Sequence, residues 1–332
     1  MRVLIYGGLI GLPLLLQAQP QRQIARPATP SAQTAASPAA PREQLAQRFR
    51  ERLTQIARET DGVVGVSVVD LVTGERFGVN DTLTFPQGSA IKIPLLIELY
   101  RQAEKGVIKL DEKVAVQKTQ QVGGTGVVQW FGDGQSLVSI RDLAVLMIVL
   151  SDNTATNILI DKVGMAAVNA TMRELGVPAI RLQRLMIRPR ESAVGNENVA
   201  TPAQSAELMA RIHRCALPMS ADRCADLRRI LEIPKDGEFP ASVPSSVRVA
   251  WKPGTVEGVA TSWGLFALPG NPYVVTAMVT YSDDRPAEQA LRAVADAAYE
   301  YFRRVARASA FGVRVPLVWA DSIKKTPPPP LP

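Results

Sequence analysis

A single histidine, His213, and two cysteines are all that this 332-residue chain offers of the side chains most often used for nucleophilic and metal chemistry. With one imidazole, which falls in the helical pattern Glu207-Leu208-Met209-Ala210-Arg211-Ile212 and reads as an ordinary helix residue, a Ser-His-Asp triad has no base. One histidine and two cysteines leave no zinc-ligand set either. Aromatic residues make up 5% of the chain and no basic stripe is interleaved with them. The net charge of +7 and pI near 9.6 come from lysines and arginines scattered among acids, as in Glu51-Arg52 and Asp283-Asp284-Arg285, which argues against a nucleic-acid partner. Gly123-Gly124-Thr125-Gly126 lacks the lysine that would complete a phosphate loop. No metal and no cofactor are expected.

What remains is an ordinary globular composition, 46% hydrophobic and 21% charged, with chain enough for two packed lobes. The apolar run 3–16 is too short to span a bilayer comfortably. It follows Arg2 and ends in Leu16-Gln17-Ala18, so residues 1–18 read as a secretory signal peptide, with an uncleaved anchor as the alternative. No cysteine near it suggests a lipid anchor. Residues 19–42 are mostly Gln, Pro, Ala, Ser and Thr, a disordered linker, and 309–332 form a tail that ends in an extended, solvated polyproline stretch. The expected setting is periplasmic or secreted, with no membrane span once the signal is removed, and the expected state is a monomer. Cys215 and Cys224 flank a short Pro-containing turn; pairing in an oxidising compartment and separation as buried thiols are both open.

Hydrophobic spacing predicts an amphipathic helix over 43–59 and a hairpin of strands 63–71 and 75–79 around Thr73-Gly74. Helices then dominate 89–231, including 140–150, 154–163, 166–175 and one that starts at Pro202 with Thr201 as its cap. Strands follow at 248–252, 261–267 and 273–281, and a closing helix at 287–305. The pattern predicts an α+β fold: an antiparallel sheet lobe (43–88 and 235–308) flanked by the N- and C-terminal helices, with an all-helical lobe (89–234) inserted and the site in the crevice between them.

Three short strings carry the chemistry: Ser89-Ala90-Ile91-Lys92, Ser151-Asp152-Asn153 and Lys252-Pro253-Gly254-Thr255. Pro86-Gln87-Gly88 breaks the chain just before Ser89, and the apolar spacing of Ile91, Pro94, Leu95, Leu96, Leu99 and Tyr100 makes Ser89 a helix-start residue. Lys92 then lies one turn along on the same face. A hydroxyl nucleophile, two lysines, a second hydroxyl and a carboxamide are the equipment for acyl transfer without histidine. A desolvated Lys92 can take the Ser89 proton, alone or through a water held by a carboxylate.

These strings, with Gly123-Gly124-Thr125-Gly126-Val127-Val128-Gln129, Ser151-Asp152-Asn153-Thr154-Ala155-Thr156-Asn157, Asn198-Val199-Ala200-Thr201-Pro202 and Trp263-Gly264-Leu265-Phe266, resemble the class A β-lactamases of the penicillin-recognising serine hydrolases over about residues 43–308. The resemblance implies the two-lobed β-lactamase/transpeptidase-like fold and a small-molecule amide substrate. It also implies roles: Ser89 as nucleophile, with the N–H groups of Ser89 and Thr255 as the oxyanion donors. Ser151 relays a proton to the leaving nitrogen, and Lys252 polarises that hydroxyl and attracts the substrate carboxylate. Asn153, Gly254 and Thr255 bind substrate, and Asn157 is a support.

Two departures stand against it. Pro253 replaces the usual hydroxyl residue of the third string, which is tolerable where the strand edge faces open space beside Thr255. The resemblance also requires a glutamate that activates the deacylating water, from the loop that reads Arg188-Pro189-Arg190-Glu191-Ser192-Ala193-Val194-Gly195-Asn196-Glu197-Asn198. Glu191 is the candidate, and Glu197 is the alternative. A serine β-lactamase, a D-alanyl-D-alanine carboxypeptidase or other acyl hydrolase on the same scaffold, and a penicillin-binding sensor or inactive module are the three functions in play.

Overall fold

A computed structural model describes residues 40–315 apart from 133 and 310; the expected signal peptide, most of the linker and most of the tail lie outside the described residues. Helix α1 (Ala40–Glu59) starts inside the expected linker. Pro41 suits a first helical turn, Glu43 complements the positive end of the helix dipole, and Arg42 reaches Asp70 at 3.4 Å. Strands β1 (Val63–Asp70) and β2 (Arg76–Val79) form the expected hairpin. After β3 (Phe85–Pro86) a 3₁₀ turn, Gly88–Ile91, leads into α2 (Lys92–Glu104). Ile93, Leu95, Leu96, Ile97, Leu99 and Tyr100 are all buried, so α2 is apolar on every side and becomes the axle of the helical lobe.

Around that axle run β4 (Lys113–Ala115) paired with β5 (Leu137–Ser139), then α3 (Ile140–Val149), α4 (Asn153–Val163) and α5 (Met165–Glu174). The chain continues through α6 (Pro189–Ala193), β6 (Val199–Ala200) paired with β3, and α7 (Pro202–Arg214), where Thr201 caps by accepting from Gln204 N. Next come α8 (Ala221–Glu232), α9 (Glu238–Ala241), β7 (Val249–Val256), β8 (Val259–Phe266), β9 (Tyr273–Thr280) and α10 (Asp284–Val305).

The five-stranded sheet has the order β2-β1-β9-β8-β7 with antiparallel neighbours. One face is covered by α1 and α10, where Phe49 stacks on Tyr301 at 4.7 Å and Tyr273 on Phe302 at 4.2 Å. The other face is covered partly by α7, whose start at Pro202 accepts from Thr276 Oγ1 at 2.8 Å. Because both faces are covered, β8 is buried along its whole length. Helix α7, expected in the helical lobe, therefore packs on the sheet, and Val69, Val274 and Met278 share a core with the helical lobe.

Two further boundaries differ from the expected ones, and one open alternative is settled. β7 runs through Pro253 to Val256, because at the sheet edge a residue without an N–H breaks no ladder bond. A two-residue hairpin, Ala308–Ser309 with Gly312–Val313, enters the expected tail. Cys215 and Cys224 are paired, joining the end of α7 to α8. Among the described residues no helix is long and apolar enough to cross a membrane.

Candidate active site

The crevice between the sheet lobe and the helical lobe is a cleft of about 480 Å³. Ser89, Ser151, Asn153, Lys252, Gly254 and Thr255 all line it, so the three strings, spread over more than 160 residues of sequence, converge on one site. Backbone contact holds Ser89 against β7. A β-carbon on Gly254 would stand 2.2 Å from Gln87 O and 2.7 Å from Ser89 N, and one on Gly88, whose φ is +48°, would stand 2.8 Å from Thr255 N. Only glycine fits at either point. Thr255 shares the register parity of Pro253, so its N–H faces the open edge of the sheet beside Ser89. The turn is pinned from below by Gln87, a buried residue that sequence reasoning passed over: its Oε1 accepts from Trp263 Nε1 at 2.9 Å and its backbone carbonyl from Thr261 Oγ1 at 3.0 Å.

Ser151 is the meeting point of the two lysines. Lys92 Nζ donates to Ser151 Oγ at 3.1 Å, to Ser151 O at 2.8 Å and to Asn153 Oδ1 at 3.2 Å, and Lys252 Nζ donates to Ser151 Oγ at 3.0 Å. The backbone of Ser151 is left-handed, with φ of +52°, which costs about 1–3 kcal/mol and aims its hydroxyl and carbonyl together at Lys92. Both ammonium groups are buried. Burial lowers the Lys92 pKa to about 7, partly opposed by the charge of Asp152. The position of Lys92 at the N-terminus of α2 disfavours its charge further. Lys252 is held well below the usual lysine range, first by burial and then by the charges of Lys92 and Lys235.

Asp152, the middle residue of the second string, is structural glue rather than a participant. Its side chain caps α4 through Ala155 N at 2.8 Å and grips the N–H groups of Val127 and Val128 at 2.6 and 2.8 Å, fixing the glycine-rich loop beside the cleft. An Asp just before an apolar helical run was the signal for this, but its second grip reaches back across the chain and leaves no local trace.

The loop from Arg184 to Asn198 forms another wall. Asn198 Oδ1 accepts from Arg184 N at 3.0 Å, and Asn157 brackets Met186, accepting from its N–H at 2.8 Å and donating to its carbonyl at 3.2 Å. Asn157 is thus the support expected of it. The loop acids, however, do not reach the cleft. Glu191, expected to activate water, is absent from the cleft lining, and its Oε2 accepts from Asn196 at 2.9 Å because the short α6 folds it back on its own loop. Glu197 is held by Arg184 at 2.7 and 3.1 Å and accepts from the Ser192 hydroxyl. In their place the buried Met186 lines the cleft.

A helical lobe set on an antiparallel sheet, with a serine, two buried lysines and a second serine at the seam, is the β-lactamase/transpeptidase-like arrangement of the serine hydrolases. The sequence profile of the β-lactamase enzyme family matches residues 48–302, and the chain belongs to that family. It is 30% identical to β-lactamase L2 of Stenotrophomonas maltophilia over 61% of this chain and 62% of that enzyme, and 28% identical to a β-lactamase of Rhodobacter capsulatus over 49% and 56%. The chain spans roughly three-fifths of the length of these curated relatives. Among solved structures, a β-lactamase from Sphaerobacter thermophilus aligns with a TM-score of 0.69 and 30% identity over 76% of this chain and 95% of that one. A variant of PBP-A, solved as its acyl-enzyme complex with penicillin G, aligns with a TM-score of 0.70 and 25% identity over 79% and 97%.

Proposed function

We propose that this chain is a secreted or periplasmic serine hydrolase of β-lactam amides, acting through an ester on Ser89. The observation that carries the reading is the Lys92–Ser151–Lys252 chain of hydrogen bonds on the floor of the cleft that Ser89 lines. In this reading neutral Lys92 takes the Ser89 proton, directly or through a water, as the hydroxyl attacks the carbonyl. The N–H groups of Ser89 and Thr255 receive the oxyanion. As the carbon–nitrogen bond breaks, Ser151 gives its proton to the leaving nitrogen and is reprotonated from the lysines. Lys252 and Thr255 hold the substrate carboxylate, Gly254 leaves room for it, and Asn153 Nδ2 donates to the substrate's side-chain amide. Covalent labelling by a fluorescent penicillin tests this directly.

The wall that carries Met186 favours a particular form of the reading. With Glu191 and Glu197 both held elsewhere and no carboxylate among the described residues lining the cleft, Ser89 acylates readily and releases slowly, the behaviour of the peptidase alternative. Nitrocefin should then give a burst near one equivalent followed by slow turnover; sustained rapid hydrolysis would restore the efficient β-lactamase.

Two measurements address the proton path. Acylation should fall about tenfold per pH unit below pH 7 and level off above it, since the base is the neutral form of Lys92, present above its pKa of about 7. A flat profile from about pH 5 to 9 would remove Lys92 from that role. Ser151→Ala and Lys252→Ala should each slow acylation about a hundredfold, because both act on charge that develops in the transition state. Wild-type rates in both variants would make the second and third strings structural only.

A further inference from the structure

Among the described residues, three with charged side chains line the cleft, Arg184, Arg188 and Lys252, and no aspartate or glutamate accompanies them. Two of the three are already engaged: Arg184 by Glu197, and Lys252 by Ser151 Oγ and Pro253 O. Arg188 is different. It is an exposed residue of the cleft lining, and its side chain makes no ion pair or hydrogen bond with the described residues.

Its backbone, in contrast, is firmly held. On one side Met186 is bracketed by Asn157, and Ile187 follows in the left-handed region with φ of +57°, an outlier for a β-branched residue. On the other side Pro189 restricts the residue before it, and the Arg188 carbonyl accepts from Glu191 N and Ser192 N at 3.1 and 3.2 Å. A strained turn kept between two clamps, presenting an unneutralised guanidinium to a ligand cleft, has the form of a recognition element.

On the acyl-transfer reading given above, on which this rests, Lys252 and Thr255 of β7 take the carboxylate of the leaving-group side. Arg188 stands on a different wall element. We infer that Arg188 binds a second carboxylate, carried on the acyl portion of the substrate, and that the preferred substrates are dianionic amides. The planar guanidinium suits a carboxylate in bidentate contact, which a lysine matches less well.

The test compares acylation of the full chain by benzylpenicillin and by its analogue with a carboxylate on the acyl side chain, followed by intact-protein mass spectrometry. The wild type should be acylated about tenfold faster by the carboxylated penicillin, the size expected of one charge-assisted contact in a partly open site. In Arg188→Gln the ratio of the two rates should fall to about one, and in Arg188→Lys only part of it should return. Equal rates in the wild type, or a ratio that survives in Arg188→Gln even if both rates drop, overturns the assignment while leaving Ser89 acylation standing. No adduct with either penicillin overturns the acyl-transfer reading, and this inference with it.

Discussion

Ser89→Ala is expected to abolish the penicilloyl adduct altogether while the protein stays folded. The Gly88 and Gly254 contacts hold the backbone of the Ser89 turn against β7, and a methyl side chain fits the same half-buried turn, so only the hydroxyl is lost. Ser151, the other hydroxyl near the lysines, cannot substitute: its Oγ lies between the two ammonium groups, where attack would forfeit both hydrogen bonds. An adduct on the alanine variant in intact-protein mass spectrometry, with circular dichroism unchanged, would assign the nucleophile elsewhere.

The second large effect is expected from Met186→Glu. Both backbone polar groups of Met186 are held by Asn157, and the residue lines the cleft, so a side chain of similar length would bring a carboxylate into the cleft that Ser89 also lines. A positioned general base typically contributes about 10²–10⁴-fold, and release of the penicilloyl group should rise by about a hundredfold. The burst with nitrocefin would then give way to continuous turnover. Glu191→Ala serves as the comparison and should leave release unchanged, since its carboxylate is tied to Asn196. If Met186→Glu retains its adduct as long as the parent and Glu191→Ala loses turnover, the acid on α6 is the working group after all.

These two residues mark how far the sequence could be read. The strings that line the cleft were legible because each is local: a breaker and apolar spacing place Ser89 and Lys92 on one turn, and an Asp before a helix places Ser151 and Asn153 at its start. The hairpin, α3, α4, α5 and α10 followed from spacing to within a few residues for the same reason. The loop wall was illegible because its geometry is set from far away. Asn157 grips the backbone of Met186 from 29 positions upstream and Arg184 captures Glu197 across 13, so a search by spacing along the loop found acids, whereas the long-range clamps set which position lines the cleft. At Pro253 the open strand edge was anticipated, but the strand itself was ended at Lys252; the order of strands shows that β7 has no neighbour on that side, so it continues through the proline to Val256. Pairing of Cys215 with Cys224 likewise depended on how α7 and α8 approach each other, which their short separation in sequence does not determine.

The glycine seam between the serine turn and β7 also bears on how the chain behaves at high concentration. An unpaired outer strand is a template onto which a second copy can add by strand pairing, and β7 is eight residues long. Here the Gly88–Ile91 turn lies against that strand and Pro253 removes one of its outward donors, so the segment that presents the nucleophile also blocks intermolecular sheet extension. β2, the opposite edge, is only four residues long. Substitutions that widen the seam, such as Gly254→Ala, would therefore expose an aggregation-competent edge as well as displace the serine, and loss of solubility would accompany loss of labelling.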